Sequence, residues 1–104
     1  MQNTGLTEHQ LKILTKVFQK YPTIEQIKLY GSRAKGTYNK HSDIDLVAYG
    51  EKLNHDIIAA VLLDLDDSDI PYQVDFQNYH DLTNRNLIDH IDRVGIEIFQ
   101  RASA

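Results

Sequence analysis

Cysteine is absent from this chain of 104 residues, which excludes a disulfide framework and any thiolate metal site. No apolar run is long enough to cross a bilayer, so no membrane association is expected. Positive charge is in short supply: 11 lysines and arginines stand against 15 aspartates and glutamates, a formal net charge of −4. A broad electrostatic nucleic-acid binder carries a basic face or stripe, so this balance argues against direct nucleic-acid binding. Met1 to Gly5 hold neither a basic n-region nor an apolar h-region, so no secretory signal is expected and a cytoplasmic location is. Internal repeats and low-complexity linkers are also missing. The length suits one compact domain over residues 1–104, with a modest core that is expected to be marginally stable without a partner.

What is present divides into helix and strand signals. Thr7-Glu8-His9-Gln10 has the form of a capping box, with Leu6 and Leu11 at the staple positions. Leu11, Leu14, Val17 and Phe18 follow at helical spacing and Pro22 blocks continuation, which predicts a helix from Thr7 to Lys20. Ile24 to Tyr30 alternates as a half-buried strand and ends at Gly31, and Ser32 to Gly36 suits a short helical turn. Asp43 to Tyr49 reads as a second strand, with Ile44, Leu46 and Ala48 on one face and Asp43, Asp45 and Val47 on the other. Asn54 can cap a helix whose buried stripe is Ile58, Val61, Leu62 and Leu65. Ile70 to Phe76 reads as a third strand. Leu87, Ile91 and Val94 define a last helix, Gly95 stands at its C′ position, and Ile96 to Phe99 adds a short strand. The order αβ(α)βαβαβ predicts an α+β fold, a small mixed sheet with helices packed mainly on one face.

Two short segments carry chemistry. Asp43 and Asp45 lie two apart on a strand, so both side chains leave the same face, with Cα atoms roughly 6–7 Å apart. Unpaired carboxylates so placed repel each other, and a divalent cation reverses the sign of that interaction. Magnesium takes oxygen ligands, commonly one or two protein carboxylates plus substrate phosphates. Two such ions can clamp the attacking and leaving oxygens of an in-line displacement. Asp75, between Val74 and Phe76, turns away from its apolar neighbours. If its strand lies beside that of Asp43, it can join the metal site and take a proton from an attacking hydroxyl. Upstream, Gly31 permits a tight turn after a strand, and Ser32 opens a helical turn with amides and a hydroxyl suited to phosphate. Arg33 and Lys35 supply cationic reach, and Gly36 lets the chain leave the turn.

Gly31-Ser32, then about ten residues, then Asp43-Ile44-Asp45, resembles the signature of the DNA polymerase β-like nucleotidyltransferase superfamily. Among its members the chain is most similar to the small stand-alone minimal nucleotidyltransferase (MNT) domains, over nearly its whole length. The resemblance implies that Asp43, Asp45 and Asp75 are catalytic and bind metal, two Mg²⁺ ions in all. It implies that Ser32, in the Gly31-Ser32 turn, contacts the triphosphate of ATP; beside it Arg33 and Lys35 are read, from their charge and place alone, as further nucleotide-binding candidates, with a surface ion pair as the alternative for Arg33. It further implies transfer of AMP to a hydroxyl. Stand-alone MNT proteins are commonly antitoxins of a small all-helical HEPN-type RNase toxin, and members of the family place AMP on a tyrosine of that toxin. Two alternatives stay open: adenylylation of a small-molecule alcohol presented by a helical partner, and neutralisation of a toxin by contact alone. Homo- and hetero-oligomers are both compatible with the sequence.

Other signals are weaker. His9, His41, His55, His80 and His90 are scattered over polar positions and form no ligand set. Tyr30 and Tyr72 border the site, where a base could stack, although strand tyrosines are more often packing residues. Asp64, Asp66, Asp67 and Asp69 lack the glycine and closing glutamate of a calcium loop and read as a solvated helix end.

Overall fold

The computed structural model describes residues 4–102; the first three residues, which open the stretch read for a secretory signal, and the last two lie outside. The chain runs α1 (Glu8–Gln19), β1 (Gln26–Tyr30), α2 (Gly31–Lys35), β2 (Ile44–Tyr49), α3 (His55–Asp66), β3 (Val74–Asn78), a 3₁₀ turn (Tyr79–Asp81), α4 (Arg85–Val94) and β4 (Ile96–Gln100). Four strands form one mixed sheet in the order β3-β2-β1-β4. β1 is antiparallel to β2 and to β4, whereas β2 and β3 are parallel, joined through α3. This is the small mixed α+β architecture that the alternation of signals predicts. Among the described residues no helix is long and apolar enough to cross a membrane.

The helix starts are set by local chemistry. Thr7 Oγ1 accepts from Gln10 N–H and Gln10 Oε1 accepts from Thr7 N–H, both at 3.0 Å, so the capping box closes as expected. Asn54 Oδ1 accepts from Ile57 N–H at the start of α3, and Asn84 Oδ1 from Leu87 N–H at the start of α4.

The main core lies on one face of the sheet. Leu14 and Phe18 of α1 and Val61 and Leu65 of α3 cover Ile27 and Leu29 of β1, Ile44, Leu46 and Ala48 of β2, and Phe76 of β3. Phe18 sits between Phe76 and Phe99, with ring centroids 6.0 and 5.8 Å away. Each fully buried aliphatic or aromatic side chain of this layer contributes about 1.5–3 kcal/mol relative to exposure. The opposite face is covered by α4, whose Ile91 packs with Tyr30 and Val47, flanked by Tyr49, Tyr79, Leu87 and Val94. Asp64 ties α3 to the residues that follow α1: it accepts from Tyr21 Oη at 2.5 Å and pairs with Lys20 Nζ at 2.9 Å. Those two donors, Tyr21 first, hold its carboxyl below the usual aspartate range.

Two local expectations are corrected. The third strand starts at Val74 and runs to Asn78, rather than spanning Ile70 to Phe76. Pro71 has no N–H for a ladder, and pairing with β2 begins only at Ile44 opposite Val74. Ile70 and Tyr72 still pack against the core from irregular backbone. Gly95 is not a left-handed C′ residue, since its φ is −59°. Its N–H donates to Ile91 O at 2.8 Å, and a Cβ there would press on Ile91 O and Lys28 Cδ at 2.5 and 3.1 Å. Glycine is needed there for space.

Arg101, just past β4, closes the fold. Its Nε donates to Ile24 O at 2.9 Å, and its Nη2 to Phe18 O and Tyr21 O at 3.1 and 3.0 Å. The planar fork thus gathers carbonyls from the end of α1 and the following loop, a geometry an ammonium cannot copy. Arg101→Ala is expected to cost about 1–3 kcal/mol of stability by removing the bond to Ile24 O and the second bonds to Phe18 O and Tyr21 O, which also accept backbone N–H groups. Arg101→Lys is expected to recover only part of that. Equilibrium denaturation in which the alanine chain matches the parent would refute the clamp.

Candidate active site

The proposed phosphate end and the acidic end of the sequence meet in space. Gly31 follows β1 directly and adopts φ +74°, in the left-handed region. A Cβ built there would collide with Asp45 Oδ2. Glycine at this position therefore serves both the turn and the close approach of the Asp45 carboxylate. Ser32, half-buried, lies in the first turn of α2. The chain leaves α2 at Gly36, whose φ of +82° lets its N–H close on Ser32 O.

The parallel pairing of β2 and β3 brings the carboxylates together. Asp45 and Asp75 are direct register partners, one on each strand, and adjacent strands lie about 4.8 Å apart. Both side chains face away from the main core, because Ile44, Leu46 and Phe76 fill the other side. Asp43 stands one residue before β2, exposed, with the same alternation as Asp45. Burial first, then the charges of Asp75 and Asp43, raise the Asp45 carboxyl above the ordinary aspartate value. Asp45 thus feels the charge of both other acids. Among the described residues no group of three acidic or histidine side chains is drawn close enough to hold a metal ion as it stands.

Asp75 is held by neutral donors. Tyr30 Oη donates to its Oδ2 at 3.3 Å and Gln77 Nε2 to its Oδ1 at 2.9 Å. Burial, reinforced by the charges of Asp75 and Asp45, pushes the Tyr30 hydroxyl far above the usual tyrosine range. Tyr30 is therefore a protonated donor at any physiological pH. It is 5% exposed, so it serves as a buried bracket and not as a stacking platform for a base.

Arg33 requires a correction. Its side chain is 1% exposed. Nη1 donates to Thr4 O and Nη2 to Ser42 O, both at 2.9 Å. The guanidinium lies over the Tyr72 ring at 4.2 Å and near the Tyr38 ring at 5.4 Å. Its two Nη atoms are spent on packing loops together, its Nε is buried without a hydrogen-bond partner, and the group has no surface to offer a phosphate. Its contact with Ser42 O fixes the backbone immediately ahead of Asp43. Tyr72 is accounted for in the same way, as a partner of Arg33. Lys35 stands exposed in the last turn of α2.

The scattered-histidine reading missed His90. It is half-buried in α4, and its Nε2 accepts the Gly31 N–H at 3.1 Å. Its ring meets that of Tyr30 edge-on, with centroids 6.1 Å apart. A signal was available: His90 lies three residues after Leu87 and four before Val94, within the apolar stripe of the helix. Tyr30 and Gln77 as carriers of Asp75 had no such signal.

These features can be set beside known proteins. The family profile described as "Polymerase beta, Nucleotidyltransferase" matches residues 12–104. No curated protein sequence matches the chain. Among solved structures, a toxin–antitoxin complex with AMP-PNP superposes with a TM-score of 0.72 at 19% identity, over 88% of this chain and 73% of that chain. A complex of tri-AMPylated Shewanella oneidensis HEPN toxin with MNT antitoxin gives a TM-score of 0.65 at 16% identity, over 88% of this chain and 70% of that one. The MntA–HepT toxin–antitoxin complex gives 0.61 at 16% identity, over 91% and 74%. At these identities the structural likeness speaks for the fold, and the profile, which spans nearly all of the sequence, speaks for descent. The chain belongs to the polymerase beta nucleotidyltransferase family.

Proposed function

We propose that this chain is a single-domain nucleotidyltransferase that moves AMP from ATP to a hydroxyl, and that the hydroxyl is a tyrosine of a HEPN-type toxin which the transfer silences. The observation that carries the chemical half is the in-register pairing of Asp45 with Asp75, beside Asp43 and against Gly31. The acceptor half is supported by likeness: the superposing structures include a toxin–antitoxin complex with a nucleotide analogue and an AMPylated HEPN toxin with its antitoxin.

The residues fit magnesium. The donor set is all carboxylate oxygen, as that ion prefers. Among the described residues none of the three acids has a lysine or arginine within ion-pair distance; the pair found is Lys20 with Asp64. Asp45 is raised by burial and by its acidic neighbours, so negative charge is concentrated there without compensation. Magnesium held by Asp43, Asp45 and Asp75 would neutralise the triphosphate and polarise its α-phosphate.

The remaining work falls to the chain. Ser32 and the amides of its turn position the β- and γ-phosphates, with Lys35 as a point charge at the rim. The acceptor oxygen bonds to the α-phosphorus as the bond from phosphorus to the α,β-bridging oxygen breaks. Pyrophosphate leaves, and the acceptor's proton passes to Asp75, an exposed carboxylate oriented by Tyr30 and Gln77. Catalysis of this kind is mostly orientation and charge stabilisation.

Incubation with ATP, Mg²⁺ and a HEPN-type toxin is expected to add the mass of AMP to the toxin. Asp43→Asn and Asp45→Asn should each slow the transfer by about a hundredfold or more. A small alcohol modified in place of the protein would redirect the acceptor to that chemistry. Neutralisation of the toxin by a folded chain lacking all three aspartates would refute the catalytic reading in favour of contact alone.

The raised Asp45 carboxyl has a consequence for stability. A carboxylate whose folded pKa lies above its unfolded value destabilises the fold above both, and that penalty fades as pH falls toward the ordinary value of 3.8. Asp45→Asn is therefore expected to raise Tm at neutral pH in the presence of a chelator, with the gain shrinking on acidification. Added Mg²⁺ should raise Tm of the parent and not of the variant. Equal Tm values for the two chains at neutral pH, with no response to Mg²⁺, would overturn this account of the carboxylates.

A further inference from the structure

We propose that His90 is a positioning residue for the nucleotide site, acting through the backbone amide of Gly31; the inference rests on the reading of the Gly31-Ser32 turn as the phosphate end of that site. Gly31 N–H donates to His90 Nε2 at 3.1 Å. A backbone amide can only donate, so Nε2 must carry a lone pair and the neutral ring's proton must sit on Nδ1. The interaction therefore fixes the tautomer of the histidine as well as the plane of the peptide before Gly31.

Gly31 has no side chain of its own to anchor the turn from β1 into α2, and its φ of +74° lies in the left-handed region. The Asp45 carboxylate presses on one side of it, where a Cβ would collide. His90 restrains it from another direction, from a different helix. The same ring meets the edge of Tyr30, and Tyr30 in turn holds Asp75 at 3.3 Å. One imidazole on α4 thus touches both the turn ahead of Ser32 and the bracket of the third carboxylate. The Gly31 amide, engaged in this way, is a fixed element of the turn and not one of the amides facing phosphate.

The side chain needed is one with an acceptor at the end of a short, stiff reach. Glutamine can place its Oε1 where Nε2 stands, whereas leucine and alanine have no acceptor. We expect His90→Leu and His90→Ala to weaken binding of a non-hydrolysable ATP analogue with Mg²⁺ about fivefold to tenfold by calorimetry, the worth of one such hydrogen bond. His90→Gln should stay within about twofold of the parent. In AMP transfer the loss should fall on KM for ATP more than on kcat. Hydrogen exchange supplies a readout independent of nucleotide: the Gly31 amide should be protected in the parent and the glutamine chain, and exchange faster in the other two. Folded leucine and alanine chains that bind the analogue as well as the parent, or better, would overturn the role of His90 alone. A parent chain that binds no nucleotide would overturn the site reading and this inference with it, whatever the exchange at Gly31.

Discussion

The parallel register between β2 and β3 is the constraint on which the rest depends. It sets Asp45 directly opposite Asp75, and like charges in that relation repel. The pairing survives because the same register places Ile44, Leu46 and Phe76 on the other face, where α1 and α3 bury them. Period-two alternation ties the two faces together, so the register that aligns the core residues also sets these acids side by side. A slip of one residue on either strand would move a carboxylate into the core and an apolar side chain to the site. The hydrophobic layer thus does more than stabilise the domain: it holds an electrostatically unfavourable cluster in place. That cluster is the part of the molecule that gains from an incoming cation.

Much of this was legible in the sequence because it depends on local rules. The Thr7–Gln10 box, the Asn54 cap and the alternation from Ile44 to Ala48 are each decided within a few residues, and they are seen in the structure. The convergence of Asp43, Asp45 and Asp75 on one sheet face followed from alternation once the two strands are neighbours. The start of β3 was not legible in the same way. Ile70 and Tyr72 are apolar for tertiary reasons, packing from a segment that has no strand partner before Val74. Gly95 looked like a left-handed cap because glycine after a helix usually is one, while here the crowding of Ile91 O decides.

Arg33 and His90 failed for one common reason: long-range contacts have no periodic signature. A cation beside a Gly-Ser turn suggests phosphate, but Arg33 is surrounded by Tyr38, Tyr72, Thr4 and Ser42, residues drawn from both sides of it in sequence. Burying a guanidinium is costly unless its donors are used, and two nitrogens find carbonyls while aromatic faces cover the plane. Lysine could not replace it there, because neither the stacking nor the fork exists in an ammonium. The residue that seemed to face the ligand instead steadies the loop that delivers Asp43.

The choice of donors around Asp75 completes the logic. A carboxylate can be oriented by a cation or by neutral hydrogen-bond donors. A cation would also neutralise it, and would compete with any metal for the same oxygens. This chain uses Tyr30 and Gln77. Each fixes one oxygen of Asp75 and leaves its charge intact. Burial and the neighbouring acids raise the Tyr30 hydroxyl, which keeps that donor protonated and prevents it from adding a fourth negative charge. Four of the cations are spent elsewhere: Arg33 inside the loops, Arg101 at the end of α1, Lys20 on Asp64 and Lys28 over the Tyr49 ring. Among the described residues no lysine or arginine pairs with the three acids, and Asp75 is held in direction by neutral donors while its charge is left to be answered from outside the chain.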